Sequence, residues 1–265
     1  MPNNGRQLSL DMLTESLKPA DNSGNTGYDG NDQAQYADGE PSYVQGMLWP
    51  ELSQDKADEN KQQVMEENRN ERDRAGEMYK GLNLEALREV SHQCEKCRLR
   101  ASCTHVVFGE GNPDAKIMFV GEGPGREEDK QGRPFVGAAG QLLDRILVSV
   151  GLDRGEVYIT NVVKCRPPGN RMPNPDEVEA CSPYLYAQIR KINPSIIVCL
   201  GALAARTLID KNARITRIRG EWHEKDGILI MPTFHPAALL RDPSKKRPVW
   251  EDMKKVKEAL DNLKA

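Results

Sequence analysis

The chain has 265 residues, a formal net charge of −3 and a hydrophobic share of 38%, which is low for one globular domain of that length. A membrane span and a secretory signal are both unexpected, because the sequence lacks a run of about 18 apolar residues and a basic-then-apolar amino terminus. We expect a soluble, cytoplasmic protein whose cysteines are not paired as disulfides.

Charge divides the chain into two parts. Residues 1–80 hold 8 Lys and Arg against 16 Asp and Glu, whereas the remainder holds 29 against 24. Residues 20–45 are rich in Asp, Asn, Gly, Gln and Ser and contain few large apolar residues to offset the entropy of ordering. We therefore expect an acidic, largely disordered extension at 1–80 and a folded domain at 81–265. A mildly basic folded domain is compatible with a nucleic-acid partner.

A short apolar cluster interrupts the polar extension. Residues 7–13 read QLSLDML and resemble the peptide with which many bacterial repair proteins bind the replication sliding clamp. The clamp-binding residues would be Gln7, Leu8, Leu10 and Met12. An isolated amphipathic turn without a partner is the alternative.

Apolar runs alternate with helical patterns along the second part. The predicted strands are 115–120, 157–160, 195–200 and 228–232, and the predicted helices are 82–90, 138–147, 176–191, 202–210 and 249–263. This alternation predicts a three-layer α/β/α fold with a central, mainly parallel four-stranded sheet. The last helix should carry one apolar face, formed by Val249, Trp250, Met253, Val256, Leu260 and Leu263.

A glycine-rich loop, GEGPGREEDKQGRPFVG at 121–137, follows the first predicted strand. Gly121, Gly123 and Gly125 would let a ligand approach the backbone closely, while Pro124 stiffens the turn. Ligands of open α/β sheets bind at the carboxyl ends of the strands, so Glu122 lies at a candidate site. A phosphate loop or a plain turn is the alternative, since glycine-rich turns are common.

The cysteines contain a candidate metal site. Cys94 and Cys97 form a C-x-x-C pair, Cys165 lies in a proline-bounded loop, and Cys181 lies near the start of a predicted helix. Four thiolates can hold zinc or an iron-sulfur cluster, and their spacing does not decide between the two. Cys199 lies inside an apolar strand and is expected to be a small buried hydrophobe.

A histidine and two leucines follow the last predicted strand, in HPAALLR at 235–241. We expect Leu239 and Leu240 to be exposed in a loop that also carries Arg241. Exposed apolar residues in a basic loop indicate a wedge into stacked bases. For His235, a structural, hydrogen-bonded residue is the alternative.

Five motifs, in this order, resemble the family-4 uracil-DNA glycosylases, the iron-sulfur branch of the uracil-DNA glycosylase superfamily. They are VVFGEGNP at 106–113, GEGPG at 121–125, GRPFVG at 132–137, ITNVVKCRPP at 159–168 and HPAALLR at 235–241. The resemblance covers roughly residues 85–264. It implies a monomeric enzyme that flips uracil out of single- or double-stranded DNA and hydrolyses its glycosidic bond, which initiates base excision repair. It also implies a 4Fe-4S cluster on Cys94, Cys97, Cys165 and Cys181, with Cys103 as an extra thiol nearby.

The resemblance assigns roles to individual residues. The residues that would meet uracil are Gly121, Glu122, Gly123, Phe135, Asn161 and His235. Among them Phe135 stacks on the base, Asn161 reads its Watson-Crick edge and His235 contacts its O2. The catalytic carboxylate is expected to be Glu122, with Glu128 as the alternative or as a support for the pocket.

One further feature limits the expected chemistry. Residues 167–173 lack the inserted histidine motif with which a related branch traps DNA covalently, so hydrolysis is expected. The rival functions are a catalytically weak uracil-DNA or clamp-binding module of the same fold, and a redox protein.

Overall fold

The computed structural model describes residues 77–264, so the expected disorder before residue 77 and the QLSLDML peptide lie outside the described residues. The strands of this part form one sheet and are β1 Glu110–Gly111, β2 Ile117–Gly121, β3 Tyr158–Asn161, β4 Ile196–Leu200, β5 His223–Lys225 and β6 Ile228–Thr233. Their spatial order is β1-β3-β2-β4-β6-β5.

The four central strands are parallel, which confirms the predicted core of the sheet. The expected count of four strands was wrong, because β1 and β5 add an antiparallel strand at each edge. Strands of two and three residues are too short to show a period-2 pattern in a sequence.

The α-helices are α1 Leu84–His92, α2 Arg126–Gln131, α3 Ala138–Ser149, α4 Pro175–Ile192, α5 Ala202–Leu208, α6 Ile215–Ile218, α7 Pro236–Arg241 and α8 Lys246–Lys264. Short 3-10 helices lie at Arg98–Ser102, Pro168–Asn170 and Pro243–Lys245. Two stretches expected as loops are helical. In α2, acidic residues occupy the first turn and Gly132 ends the helix in a left-handed conformation. In α7, His235 is the N-cap and Pro236 follows it, a common way to start a helix.

Alternate residues of the sheet pack into two separate cores, which confirms the three layers. Met118 and Val120 of β2 belong to the core that also contains residues of α1, α4 and α5. Ile117 and Phe119 of the same strand belong to the core on the other face, with residues of α3 and α8. Because successive side chains of a strand point to opposite faces, a strand covered on both sides is apolar throughout.

The last helix covers the second core with four residues of its expected apolar face, Val249, Met253, Val256 and Leu260. Trp250 is only partly buried, and the inclusion of Leu263 was wrong because its side chain is 54% exposed. Cys199 is fully buried in β4, as expected. None of the helices described combines the length and the apolarity needed to cross a bilayer.

Parallel pairing brings the carboxyl ends of the central strands to one edge of the sheet. Gly121 at the end of β2 pairs with Asn161 at the end of β3. On the other side of β2, β4 runs into Gly201, and β6 leads to His235. A Cβ on Gly201 would lie 3.0 Å from Cβ of His235, so the two loops approach closely.

Candidate active site

Asn161 carries an unpaired polar atom into this edge of the sheet. Its side chain is 1% exposed, and its Oδ1 is buried without a hydrogen-bond partner among the described residues. Leaving a buried acceptor unpaired costs about 1–3 kcal/mol. The amide therefore has capacity for a hydrogen bond from a ligand.

Gly121 leaves the space in which the amide and an aromatic ring meet. A Cβ on Gly121 would lie 2.4 Å from Oδ1 of Asn161 and 2.5 Å from Cζ of Phe135. A side chain at this position would push both groups away. The structure therefore brings together three of the residues expected to meet the base.

Phe135 and His235 form the aromatic part of the site. Their ring centroids are 5.6 Å apart and the rings are tilted by 32°. Phe135 has a positive φ of 52°, an uncommon conformation for a residue with a bulky side chain. The backbone that presents this ring is held in a strained conformation.

His235 has a defined tautomer. Its Nδ1 accepts a hydrogen bond from the backbone N–H of Ala237 at 3.1 Å, so this nitrogen carries no proton. Burial, assisted by the positive charge of Arg241, lowers the pKa of His235 to about 4. The ring is therefore neutral at pH 7, and Nε2 carries the proton and can donate it in a hydrogen bond.

Glu122 is the half-buried carboxylate of the site. Burial raises its pKa, and the positive charge of Arg241 opposes this shift. Its backbone carbonyl accepts a hydrogen bond from the N–H of Val163 at 3.1 Å, which continues the pairing of β2 and β3 beyond the strands. A Cβ on Gly123 would lie 2.7 Å from Cγ2 of Val163, so the residue at position 123 must be small.

Glu128 binds the backbone of the glycine-rich loop. Its Oε1 accepts hydrogen bonds from the N–H groups of Val136 at 2.9 Å and Gly137 at 2.8 Å. These contacts give Glu128 a supporting position directly after Phe135. A catalytic role for Glu128 stays a prediction.

The two leucines expected as a wedge differ in exposure. Leu239 is 1% exposed and packs into the core beneath α7, so the expectation that it lies exposed in a loop was wrong. Leu240 is 45% exposed. Successive residues of a helix point about 100° apart, which explains why only one of the pair faces solvent. Arg241, the last residue of α7, is exposed as expected.

The four expected metal ligands line one cavity between α1, the loop after β3 and α4. The backbone N–H of Lys164 donates a hydrogen bond to Sγ of Cys181 at 3.3 Å. Burial raises the pKa of Cys181 to about 11 and also raises that of Cys97. Across residues 77–264, no three His, Cys, Asp or Glu side chains already form a group that could hold one metal ion. Four thiols that line one cavity, one of which accepts a hydrogen bond from a backbone N–H, are nonetheless a donor set suited to an iron-sulfur cluster.

Cys103 lies beside this cavity. Its S–H donates to the carbonyl of His105 at 3.0 Å. A hydrogen bond with Cys165 is the main reason why the pKa of Cys103 is lowered, and the same bond and burial raise the pKa of Cys165. Cys103 is thus a thiol close to one expected ligand, as the sequence indicated.

Lys164 is a buried contact of the site that the sequence analysis missed. Its Nζ donates to the backbone carbonyl of Asn161 and to Oγ1 of Thr160, both at 2.7 Å, and to Oε1 of Gln188 at 2.6 Å. Burial lowers its pKa to about 7. A lysine inside the apolar run VVKC was the available signal, because lysine is rarely buried without partners.

Comparisons with known proteins identify the family. The family model for the uracil DNA glycosylase superfamily matches residues 108–257. A type-4 uracil-DNA glycosylase of Thermotoga maritima is 51% identical over 180 residues, which cover 66% of this chain and 93% of that protein. A type-4 uracil-DNA glycosylase of Sulfurisphaera tokodaii is 49% identical over 185 residues, covering 66% and 84%. A type-5 uracil-DNA glycosylase of Pyrobaculum aerophilum is 34% identical over 146 residues, covering 49% and 64%. The chain is a member of the uracil-DNA glycosylase superfamily and, within it, of the type-4 family.

Proposed function

We propose that this protein is a DNA repair enzyme that hydrolyses the N-glycosidic bond of uracil in DNA. It releases free uracil and leaves an abasic site, which initiates base excision repair. The observation that carries this proposal is the buried, unpaired Oδ1 of Asn161 beside the ring of Phe135.

Asn161 selects the base through its Watson-Crick edge. Its Oδ1 accepts from N3–H of uracil, and its amide nitrogen donates to O4. Cytosine presents an acceptor at N3 and an amino group at the neighbouring position, so it mismatches this amide orientation. Phe135 adds stacking, which does not depend on the identity of the base.

His235 and Glu122 stabilise the two charges that develop as the bond breaks. The electron pair of the bond between C1′ and N1 moves to uracil, and the neutral His235 donates from Nε2 to the O2 on which negative charge accumulates. The sugar becomes cationic, and the Glu122 carboxylate stabilises it and orients the water that attacks C1′. The water proton passes to the carboxylate or to solvent.

Extrusion of the base from a duplex costs a few kcal/mol, and the exposed end of α7 can offset part of that cost. Leu240 would enter the space that the base leaves, and Arg241 would contact backbone phosphates. Leu239 supports α7 from the core and is not part of the wedge.

Cys94, Cys97, Cys165 and Cys181 would hold a 4Fe-4S cluster. When bound, the cluster supplies iron-thiolate bonds that crosslink the segment after α1, the loop after β3 and α4. The observations that support this are the shared cavity and the N–H of Lys164 directed at Cys181. Structural zinc is the alternative, and metal analysis distinguishes the two.

The proposed activity is tested by uracil release from a single-stranded oligonucleotide and from U:G and U:A duplexes. Wild-type protein purified anaerobically should release free uracil, and Asn161→Ala should not. A metal-loaded wild type that binds uracil-containing DNA but releases no uracil would identify a catalytically weak binding module instead.

For the extension at 1–80 we propose a tether to the bacterial sliding clamp in the cytoplasm. Gln7, Leu8, Leu10 and Met12 provide the polar and apolar anchors of such a peptide, and the following residues provide a long polar linker. Changing Gln7, Leu10 and Met12 together to alanine should abolish clamp pull-down and leave uracil release from naked oligonucleotides unchanged. Clamp binding that survives the triple change would contradict the tether.

A further inference from the structure

Phe135 needs support from its surroundings to keep its ring in the site. Its φ of 52° lies in the left-handed region, which a bulky residue enters only when neighbouring contacts hold it there. On its carboxyl side, Glu128 binds the N–H groups of Val136 and Gly137. A Cβ on Gly140 would lie 1.9 Å from the carbonyl oxygen of Phe135, so α3 also starts against this backbone.

Arg154 holds the amino side of the same residue. Its Nη2 donates to the backbone carbonyl of Pro134 at 2.6 Å. Its Nη1 donates to Oδ1 of Asp144 in α3 at 2.7 Å, and its Nη2 also donates to Oε1 of Glu110 at 2.8 Å. Three elements distant in sequence are therefore joined at the residue before Phe135.

Glu110 fixes this guanidinium and belongs to the edge strand β1. Burial alone would raise the pKa of Glu110, but Arg133 and Arg154 together hold it below its ordinary value. Arg133 contacts the same carboxylate, with Nε to Oε2 at 2.7 Å, and is the more exposed of the two arginines. Arg154 donates a hydrogen bond to the carbonyl of Pro134. Among the hydrogen bonds of the described residues, those of Arg133 go to Glu110 and not to this carbonyl.

We propose that Arg154, held by Glu110 and Asp144, is a positioning residue that fixes the Phe135 ring for stacking on the base. The inference rests on the proposed function for its effect on catalysis, whereas the effect on the ring is independent of it. Arg154 acts through the backbone of Pro134 and does not contact the base.

The test compares Arg154→Met with Arg133→Met, which removes a charge from the same carboxylate without removing the bond to Pro134. Single-turnover uracil release by Arg154→Met should fall roughly 10- to 100-fold, the size expected when a stacking group is misplaced by about an ångström. DNA affinity should stay within about twofold, and Arg154→Lys, which can still donate one hydrogen bond to Pro134, should recover part of the rate. Arg133→Met should behave as wild type.

A double-mutant cycle tests whether Arg154 acts through the ring. In a Phe135→Ala background, Arg154→Met should cause no further loss of rate. Losses that multiply in the two backgrounds, or equal losses for Arg133→Met and Arg154→Met, would overturn the proposal.

A readout independent of activity uses 4-fluorophenylalanine, because the chain contains only four Phe residues. Arg154→Met should shift or broaden the fluorine resonance of Phe135, assigned through Phe135→Leu, and leave those of Phe108 and Phe119 in place. An unchanged Phe135 resonance overturns the positioning role. If wild-type protein released no uracil, the proposed function would fail, and this resonance would still decide the role of Arg154.

Discussion

The base site and the cysteine cavity are held together in different ways. Asn161 and Glu122 lie at or directly after the ends of adjacent strands, so the sheet register fixes their distance. The cysteines come from the segment after α1, the loop after β3 and the interior of α4, which share no ladder of hydrogen bonds. The sheet register therefore fixes the spacing of Asn161 and Glu122, whereas the cavity lined by the four cysteines is built from segments that lie outside the strands.

The two regions also differ in how their polar groups are paired. Oδ1 of Asn161 has no hydrogen-bond partner among the described residues, whereas the thiols of Cys103 and Cys165 share a hydrogen bond and Sγ of Cys181 accepts one from the N–H of Lys164. Burial raises the pKa of Cys181 to about 11, because the thiolate is disfavoured away from water. The first region therefore has an acceptor without a partner, whereas the sulfur atoms named in the second already take part in hydrogen bonds.

The largest expected effect is the loss of the crosslink in Cys181→Ser. This variant should lose cluster absorbance and melt at a much lower temperature, because the cluster joins segments that the sheet does not join. Cys199→Ala is the matched control, since Cys199 is buried in β4 and does not line the cavity. Wild type should be brown and contain iron. A soluble Cys181→Ser protein with unchanged melting would break the contrast between the two regions.

In the base site, His235→Ala should lower turnover roughly 10²- to 10³-fold, the cost of one donor to a developing oxyanion. DNA affinity should change little, whereas the loss of the α7 N-cap should lower the free energy of unfolding by about 0.5–2 kcal/mol. His92→Ala, an exposed histidine at the end of α1, serves as the control. Equal losses in binding and turnover would make His235 a binding residue instead.

The raised pKa of Glu122 predicts how kcat/KM falls at acid pH. Its ionised form is required, and burial raises its pKa, so kcat/KM should be full above that pKa and fall as the pH drops through it. This decline should start at a higher pH than for an ordinary glutamate. His235 has a pKa lowered to about 4, so it should gain a proton only at a pH below the one at which Glu122 does. Glu122→Gln should cost about 10²-fold at neutral pH and abolish the decline. An acid limb that persists in Glu122→Gln would assign it to another group.

The smallest expected effect is that of Leu240→Ala. Uracil release from duplexes should slow by a few fold and release from single strands should not change, because only a duplex needs a wedge. Leu239→Ala is the variant to compare with it, because Leu239 is buried. This variant should lower the free energy of unfolding by about 2–5 kcal/mol, as truncation of a core leucine does. Comparable melting losses in both variants would contradict the different orientations of the two side chains.

The sequence was a sufficient guide where a residue's role follows from its place on a long strand or helix. Glu122 could be assigned to the carboxyl edge because an apolar strand followed by a glycine-rich loop is recognisable, whereas the role of Asn161 was implied by the family resemblance. The exposure of Leu239 could not be predicted, because it depends on whether HPAALLR is a loop or a helix. His235 decides this by capping α7 with its own side chain.

The long-range contacts of the site could not be predicted from the sequence either. The bond from Arg154 to Pro134 joins residues 20 positions apart through a backbone carbonyl, which carries no sequence signal. The positive φ of Phe135 could not be predicted either, because glycine is the residue that usually signals such a conformation. The edge strands β1 and β5 were missed because two or three residues do not establish a period.

The most direct measurement of the central claim, that Asn161 reads the base, is release of cytosine from mismatched duplexes by Asn161→Asp. A carboxyl group at this position can accept a hydrogen bond from the amino group of cytosine, so discrimination against cytosine should weaken. The predicted result is cytosine release above the wild-type level, with uracil release reduced. Cytosine release no higher than that of wild type would contradict the role of Asn161.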